Sequence, residues 1–413
     1  MARIIISSIF LFLSFTGSAQ TKDLNYFLGQ AVQNSPLLKD FGLQQASNRI
    51  DSLRLRASML PGVNGNGTAT YAPYFNGFGY DPALSNYHTL TTVITVSKPI
   101  LNKANINNQL EAFRLTDDSL ATRAKISEQQ LKWNITKQYI LVYGETQQLK
   151  FTRDMLHLLH QEEKLLKKLT EKSVYKQTDF LAFLVTIQQQ ELALSQANIQ
   201  YRNDLATLNY LSGLNDTVFT ELPEPVLDLS QLPPLDQTIF YQQYKIDSLK
   251  TLNNDRQIDF SYKPRWNVYA DGGYSSTFES MPYKNFGVSA GVTLVVPIYD
   301  GKQKKMLHNK NQIEAETKKN YLEFQKIQYE QQKNQLYEQL QLAEAMIKQA
   351  DAQIRYTEVL MEAQRKQLAT GDVHITDYIV AIGNYLNAKN VITQNTINRL
   401  QIINQLNYPE GKN

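Results

Sequence analysis

The residues most capable of chemistry in this sequence are histidines, two of which lie one helical turn apart. His157 and His160 are followed by Glu162 and Glu163, and imidazole and carboxylate groups at this spacing can bind a metal ion. The surrounding segment is highly charged, which favours the interpretation that these are solvated surface side chains. A metal-dependent enzyme is one of the alternatives that the sequence leaves open.

Other sequence signatures of catalysis are missing. The sequence contains no Gly-rich phosphate loop, no Gly-x-Ser-x-Gly elbow and no His-Glu-x-x-His motif. It contains no cysteine, which excludes a disulfide framework and a lipid-modified cysteine. We therefore expect a protein that is not an enzyme and that uses no cofactor and no resident metal ion.

The composition is typical of long solvated helices rather than of a thick globular core. There are 42 Lys and Arg residues and 39 Asp and Glu residues, and the mean hydropathy is −0.40. The charges are interspersed, so the net charge of +3 gives no support to a nucleic-acid partner.

The N-terminus, residues 1–19, has the layout of a secretory signal peptide. Arg3 supplies a positive charge, Ile4 to Phe15 form an apolar core, and small residues lead to Ala19. We expect cleavage after Ala19 and export of the remaining chain.

Proline positions divide the remaining chain into two similar halves. Residues 100–222 and 298–408 contain no proline and are rich in Gln, Glu, Lys, Leu and Ala, which predicts helix. A Pro-rich linker, residues 213–236, separates a first repeat, 20–212, from a second repeat, 237–413.

The two repeats match at a constant offset of 198 residues, which indicates an internal duplication. The matching segments are Val96 to Ile100 with Leu294 to Ile298, Thr178-Asp179-Phe180 with Thr376-Asp377-Tyr378, and Leu208-Asn209-Tyr210 with Leu406-Asn407-Tyr408. Because each match comes from a corresponding place, both repeats should share one plan.

Each repeat is predicted to contain a helical hairpin with one very long arm, in residues 102–212 and 302–408. A helix from Asn102 to Lys172 would be roughly 105 Å long at ~1.5 Å per residue. Thr178 and Thr376 are suitable N-caps for the returning helices. Shorter helices, Lys22 to Ser58 and Gln237 to Ser261, should precede the strands of each repeat.

Apolar residues in the long helices follow a heptad rhythm, which predicts coiled-coil packing. In the second repeat the seam is Leu336, Leu340, Ala343, Ile347, Ala350 and Ile354. The first repeat has two adjacent seams, one of Phe151, Met155, Leu158, Leu165 and Leu169 and the other of Leu149, Leu156, Leu159 and Leu166. Two seams predict neighbours on both sides, as in a helical tube, whereas a plain antiparallel coiled-coil hairpin would use only one.

Two strand pairs, residues 62–98 and 264–297, alternate apolar and polar side chains with a period of two. One face would carry residues such as Trp266, Val268 and Ala270, and the other Asn, Thr, Ser and Gly. The pattern fits an outer-membrane barrel with a wet interior, and it also fits a half-buried soluble sheet.

Aromatic residues at the predicted strand ends favour the membrane interpretation, since they resemble an interfacial girdle. They are Tyr71, Tyr74, Phe75, Phe78, Tyr80, Tyr87, Tyr274, Phe278, Tyr283 and Phe286. Because four strands cannot close a barrel and about eight is the practical minimum, several chains would have to share one barrel.

Together these features resemble the TolC-like outer-membrane efflux family over essentially the whole mature chain. The resemblance implies a mainly α fold in which long coiled-coil helices form an oligomeric α-barrel and two strand pairs contribute four strands to a shared transmembrane β-barrel. It further implies a homotrimer in outer-membrane lipid with a large periplasmic part, and a tunnel that meets an inner-membrane transporter through a periplasmic adaptor.

The family's loose tip motif is similar to Gly371 to Ala381 and, with Ser173 replacing the glycine, to Ser173 to Ala182. The resemblance implies that the adaptor contacts Ser173, Val174, Tyr175, Lys176, Gly371, Asp372, Val373 and His374. The alternative interpretation is that they are ordinary turn residues, and partner contact is the favoured one. Asp377 matches one acidic residue of a lumen constriction in some relatives, although Val380 stands at the second acidic position; stabilisation of a helix N-terminus is the simpler interpretation.

The favoured function is an exit duct for an efflux or secretion system. A periplasmic or surface coiled-coil structural protein without a transport role is the main alternative. The identity of the cargo, of the adaptor and of the pump does not follow from the sequence.

Overall fold

The computed structural model describes residues 22–73, 75–80, 88–100, 102–216, 218, 221–229, 232–279 and 281–408. The predicted signal peptide lies outside the described residues, as do Tyr74 and Tyr87. Among the described residues, no helix combines the length and the apolar composition needed to cross a bilayer.

The described residues form seven α-helices and four strands. The helices are α1 (Leu24–Asn34), α2 (Pro36–Ala57), α3 (Lys103–Glu171), α4 (Gln177–Leu211), α5 (Ile239–Ser261), α6 (Gln303–Thr370) and α7 (Ile375–Asn407). The strands are β1 (Gly62–Tyr71), β2 (His88–Ile100), β3 (Arg265–Ser276) and β4 (Phe286–Val295). The long helices α3 and α6 contain 69 and 68 residues, which confirms their predicted lengths.

The predicted N-terminal helix from Lys22 to Ser58 is in fact broken in two. Ser35 has ψ 115°, and its N–H donates to the carbonyl of Ala31 as α1 ends. Pro36 then begins α2, because proline disfavours helical geometry in the residue before it and tolerates the first position of a new helix.

The chain divides into two compact units, and segments of both repeats contribute to each. Of the described residues, unit 1 contains those within 22–35, 130–231 and 335–408, and unit 2 contains those within 36–129 and 232–334.

The apolar core of unit 1 forms two clusters. One cluster joins α3, α4, α6 and α7 near the two turns, where Leu159, Leu166 and Leu368 are completely buried. The second joins α1, α3 and α4 to the linker, in which Leu222 is 2% exposed. Leu149, Leu156, Leu159 and Leu166 are buried, and Phe151, Leu158 and Leu169 pack against the first cluster. Both seams of α3 are therefore occupied, which a plain hairpin with one idle seam does not explain.

The linker is anchored to the helices of unit 1 by backbone acceptors. The hydroxyl of Tyr139 donates to the carbonyl of Pro223 at 2.9 Å, and the amide of Asn407 donates to the carbonyl of Asp228 at 2.8 Å. Burial raises the pKa of Tyr139, so this phenol stays protonated as a donor.

Unit 2 holds its helices together with buried amides. The side chains of Asn108 on α3 and Asn253 on α5 each donate to the other residue's backbone carbonyl, at 3.2 and 2.9 Å. Asn311 on α6 donates to the carbonyl of Thr251 at 3.0 Å. All three asparagines are less than 8% exposed, so these bonds satisfy polar groups that burial would otherwise penalise.

Unit 2 also contains the sheet, an antiparallel meander in the order β1-β2-β3-β4. The ladder between β2 and β3 joins the strands of the two repeats, with Val96 opposite Ala270 and Thr95 opposite Asp271. The four strands lie within the strand pairs predicted from the alternating pattern, apart from the last two residues of β2.

Gly273 offers a test of how closely β2 and β3 approach. A Cβ at Gly273 would lie 2.2 Å from the carbonyl oxygen of Thr92 and 2.7 Å from the Cα of Val93, whereas a Cβ at its β4 partner Gly287 would meet nothing within 4 Å. We expect Gly273→Ala to lower the free energy of unfolding by about 1–3 kcal/mol, because backbone atoms must shift.

Gly287→Ala is the matched control and should change stability little. Chemical denaturation followed by circular dichroism measures both variants. Equal stability of the two would contradict the close approach described here.

Candidate functional site

The two helical turns, which we call tip 1 (residues 172–176) and tip 2 (residues 371–374), have the same backbone geometry. Ser173 and Gly371 both adopt positive φ, +62° and +81°. In tip 1 the N–H of Val174 donates to the carbonyl of Leu169, and in tip 2 the N–H of Asp372 donates to the carbonyl of Gln367, both at 3.0 Å. These bonds are typical of a Schellman helix end, which favours glycine at the position that serine occupies in tip 1.

The predicted threonine caps are wrong, because both returning helices begin earlier. The N-cap residues are Lys176 and His374, and neither side chain forms a cap hydrogen bond. Ile375 is completely buried at the start of α7. Burial of such a side chain contributes about 1.5–3 kcal/mol, against about 1 kcal/mol for a cap, so tertiary packing sets the helix start.

Tyr175 connects tip 1 to tip 2. Its hydroxyl lies 2.7 Å from the carbonyl of Leu368 and 3.1 Å from that of Val373, and the side chain is only 9% exposed. Burial and the charge of Asp372 raise the pKa of Tyr175, so the phenol remains a donor. It thereby satisfies the carbonyl of Leu368, which the end of α6 leaves without a helical partner, and also contacts the carbonyl of Val373 in tip 2.

A second contact between the tips depends on glycine. A Cβ at Gly371 would lie 3.0 Å from Cγ1 of Val174, so the missing side chain allows the valine to approach. The two tips therefore form one surface, in which the first tip supports the second.

The exposed charges of the tips differ in sign. Lys172 and Lys176 are exposed on tip 1, whereas Asp372 is exposed on tip 2 beside His374. Asp377 is exposed in the first turn of α7, where a carboxylate interacts favourably with the helix dipole.

The predicted contact residues thus fall into two groups. Ser173, Val174, Lys176, Gly371, Asp372 and His374 are exposed and Val373 is partly exposed, so partner contact stays a prediction for them. Tyr175 is buried against tip 2, where it positions the other tip instead of facing outward. Tyr175 and Val373 are equivalent positions of the two repeats, 198 residues apart, but the duplication by itself does not predict that the two tips touch.

An ion pair between a buried carboxylate and a partly exposed guanidinium joins the hairpins beside the tips, and sequence reasoning missed it. Nε of Arg365 on α6 lies 2.6 Å from Oε1 of Glu162 on α3, whose side chain is 5% exposed. The hydrogen bond from Arg365 to this carboxylate raises the pKa of the guanidinium. Nearby, burial raises the pKa of Tyr378, which is completely enclosed.

The histidine pair proposed for metal binding has other contacts. His160 lies 3.1 Å from Glu163 and 3.5 Å from Glu191, while Glu162 faces Arg365. Within the described part of the chain, no group of three or more His, Cys, Asp or Glu residues could hold a metal ion.

The strand register aligns the two predicted faces across the whole sheet. On one face Ile94 lies opposite Gly272, which lies opposite Val288. On the other face lies a polar row of Asn64, Thr95, Asp271 and Ser289. The strands of both repeats therefore share one apolar face and one polar face.

On the central strands β2 and β3 the apolar face is the more exposed one, which is the reverse of a half-buried soluble sheet; on β1 and β4 both faces are exposed. Along β2, the apolar positions Ile94 and Val96 are 61% and 42% exposed, whereas Thr95 between them is partly buried. Val288 is 90% exposed on β4. Aromatic side chains at the strand ends and loops are also exposed, namely Tyr71, Phe75, Phe78, Tyr80, Phe278, Tyr283 and Phe286. A sheet of this kind needs an apolar environment supplied from outside the chain.

Removal of the Tyr175 hydroxyl tests the connection between the tips. We expect Tyr175→Phe to cost about 0.5–1.5 kcal/mol and to loosen tip 2, because the carbonyls of Leu368 and Val373 lose their donor. Hydrogen exchange at the amides of tip 2 should accelerate. Tyr356→Phe, on a side chain that is 79% exposed, is the control; unchanged exchange at tip 2 in Tyr175→Phe would refute the connection.

The ion pair can be tested with a double-mutant cycle. Arg365→Met leaves the carboxylate of Glu162 buried without its partner, and we expect a loss of about 1–3 kcal/mol, less than for a fully buried pair because Arg365 is partly exposed. The double variant with Glu162→Met should recover part of that loss, as measured by chemical denaturation. Additive losses would count against direct coupling.

Comparison with known proteins identifies the fold. Neither a protein-family model nor a curated protein sequence matches the chain. Among solved structures, the outer-membrane channel OprN is similar with a TM-score of 0.75 and 12% identity, over 94% of this chain and 90% of that one.

Two other solved structures are similar to this chain to about the same degree as OprN. CusC, which forms a transmembrane channel, has a TM-score of 0.74 and 14% identity, over 95% of this chain and 93% of that one. The outer-membrane protein VceC of Vibrio cholerae has a TM-score of 0.74 and 13% identity, with coverages of 93% and 94%. The chain therefore has the fold of solved outer-membrane channel proteins along nearly its whole length, and the resemblance noted in the sequence is confirmed at the level of the fold.

Proposed function

We propose that this chain is one subunit of an outer-membrane exit duct that conducts substrates from a periplasmic adaptor and an inner-membrane pump to the outside. The observation that carries the proposal is the sheet, which has an exposed apolar face and a continuous polar face. Such a sheet suits a barrel wall with lipid on one side and water on the other. The likeness of the fold to outer-membrane channels supports the same assignment.

The edges of the sheet argue for several copies around one barrel. β1 and β4 are the outer strands, and each pairs on only one side among the residues that the structure describes. Unpaired backbone groups are not tolerated in lipid, so neighbouring copies must supply the missing strands. Three copies would provide about twelve strands, which exceeds the practical minimum for closure.

Exposed apolar stripes on the helices of unit 1 support assembly into a tube. On α4 the stripe contains Leu181, Val185, Leu192 and Ile199, and on α6 it contains Leu342, Met346, Tyr356 and Leu360. Each stripe keeps the heptad rhythm of the buried seams. Because coiled-coil seams bury such residues, a second copy of the chain is their natural partner.

The joined tips supply a surface for the adaptor at the far end of the hairpins. Val174 is 48% exposed between Lys172 and Lys176, an arrangement that suits a partner with an apolar group and an acidic rim. Asp377 would lie close to this entrance, where an acidic ring would attract cations. In this proposal Tyr175 positions the surface instead of contacting the partner.

A structural coiled-coil protein without a transport role is the second candidate. It accounts for the heptad seams, but it gives no reason for an apolar sheet face that is more exposed than the polar face. The exit duct accounts for both features.

The proposal predicts that the purified protein forms water-filled pores. We expect detergent extraction from outer membranes as a heat-modifiable oligomer, and stepwise conductance in planar lipid bilayers. In cells, deletion should increase retention of dyes or antibiotics when a competent pump is present. A soluble periplasmic protein without conductance would rule out the duct.

A further inference from the structure

Asp271 is the only acidic residue in the four strands, and it lies on the polar face near the middle of β3. Its neighbours across the sheet are Thr95 on β2 and Ser289 on β4, and Asn64 completes the row on β1. The carboxylate thus stands in a row of neutral hydrogen-bonding groups that crosses all four strands.

The carboxylate is oriented by a single neighbour and has open space beside it. The hydroxyl of Ser289 donates to Oδ1 of Asp271 at 2.8 Å, and it is the only side-chain donor to this group among the described residues. In the next row on the same face, Gly273 on β3 and Gly287 on β4 have no side chains to cover the carboxylate, and Val93 lies on β2. Asp271 is partly buried, and the side of it next to the two glycines carries no side chain of β3 or β4.

In the row on the other side of Asp271, Tyr269 on β3 lies opposite Gly291 on β4. The side chain of Tyr269 lies over Gly291, where a Cβ would come within 2.6 Å of the phenol oxygen. The glycine lets the ring lie flat against β4. Asp271 therefore has the uncharged ring of Tyr269 on one side along β3 and Gly273 on the other, and it is the only charged group in the central part of this face.

Charge elsewhere on the sheet does not cancel this carboxylate. Arg265 shares the polar face but lies six residues away, roughly 20 Å along the strand at ~3.3 Å per residue, beyond a Debye length of about 8 Å at physiological salt. Lys98 lies in the row of Val268, on the opposite face.

We propose that Asp271 forms an acidic ring inside the β-barrel that makes the duct selective for cations. This inference rests on the proposed function, because only closure of the sheet from several copies turns one carboxylate per chain into a ring. Cyclic symmetry places each copy of Asp271 at the same height whatever the number of copies. The ligands are small hydrated cations and positively charged solutes, which acidic rings attract in other cation channels.

The test uses the purified full-length oligomer in planar lipid bilayers with a KCl gradient, and it measures the ratio of cation to anion permeability from the reversal potential. We expect Asp271→Asn to lower this ratio by about twofold or more while conductance persists, because the ring loses its charge. Arg265→Gln should raise the ratio, since it removes a positive charge from the same face. Lys98→Gln, which alters the opposite face, should leave the ratio unchanged.

A gain of charge provides a second variant in case Asp271→Asn does not assemble. Asn64→Asp adds a carboxylate in the same row, two strands away from Asp271, and should raise the ratio. An unchanged ratio in conducting pores of either variant would overturn the role of Asp271 and leave the duct intact. Failure of the wild-type protein to form pores at all would overturn the duct and the ring together.

Discussion

The antiparallel ladder between β2 and β3 is the interaction on which the character of the sheet depends. It joins strands from the two repeats in a register that puts Val96 opposite Ala270 and Thr95 opposite Asp271. A slip of one residue would exchange the faces of one repeat relative to the other, because side chains alternate along a strand. Through this ladder, the strands of the two repeats form one sheet with an apolar face and a polar face. Gly273, which admits the backbone of β2 at very short range, helps to define that register.

The two units solve the packing of long helices in different ways. In unit 1, leucine and aromatic side chains fill the space between helices, and apolar burial stabilises it. In unit 2, the reciprocal amides of Asn108 and Asn253 lie where apolar side chains would be expected. Buried amides stabilise less than leucines, but they accept only partners at matching heights, so they favour a single register. A fixed helix register is useful in unit 2, because the same unit contains the sheet, whose two faces also depend on register.

The sequence predicts the periodic part of this structure well and the tertiary part poorly. Strand bounds and the lengths of α3 and α6 follow from alternation, heptads and proline positions, which are local properties. The helix starts were misplaced at Thr178 and Thr376, because burial of residues such as Ile375 outweighs a local cap. The contact of Tyr175 with tip 2 and the pair of Glu162 with Arg365 join distant segments, so no spacing rule reveals them. For the candidate site, the turns were predictable, but the orientation of their side chains was not.

Unit 1 is built from segments that are distant in sequence, and this affects how the chain folds. The amide of Asn404, close to the C-terminus, donates to the carbonyl of Trp133, 271 residues earlier. Contacts of such high sequence separation slow folding, because a very long loop must close before they form. The stretch of α3 around Trp133 therefore completes its packing only after the end of the chain has emerged, whereas Leu149 can pack earlier against α1 and α4. A nascent chain of this design should depend on chaperones until its last helix arrives, and loss of that helix should expose the first repeat to proteolysis.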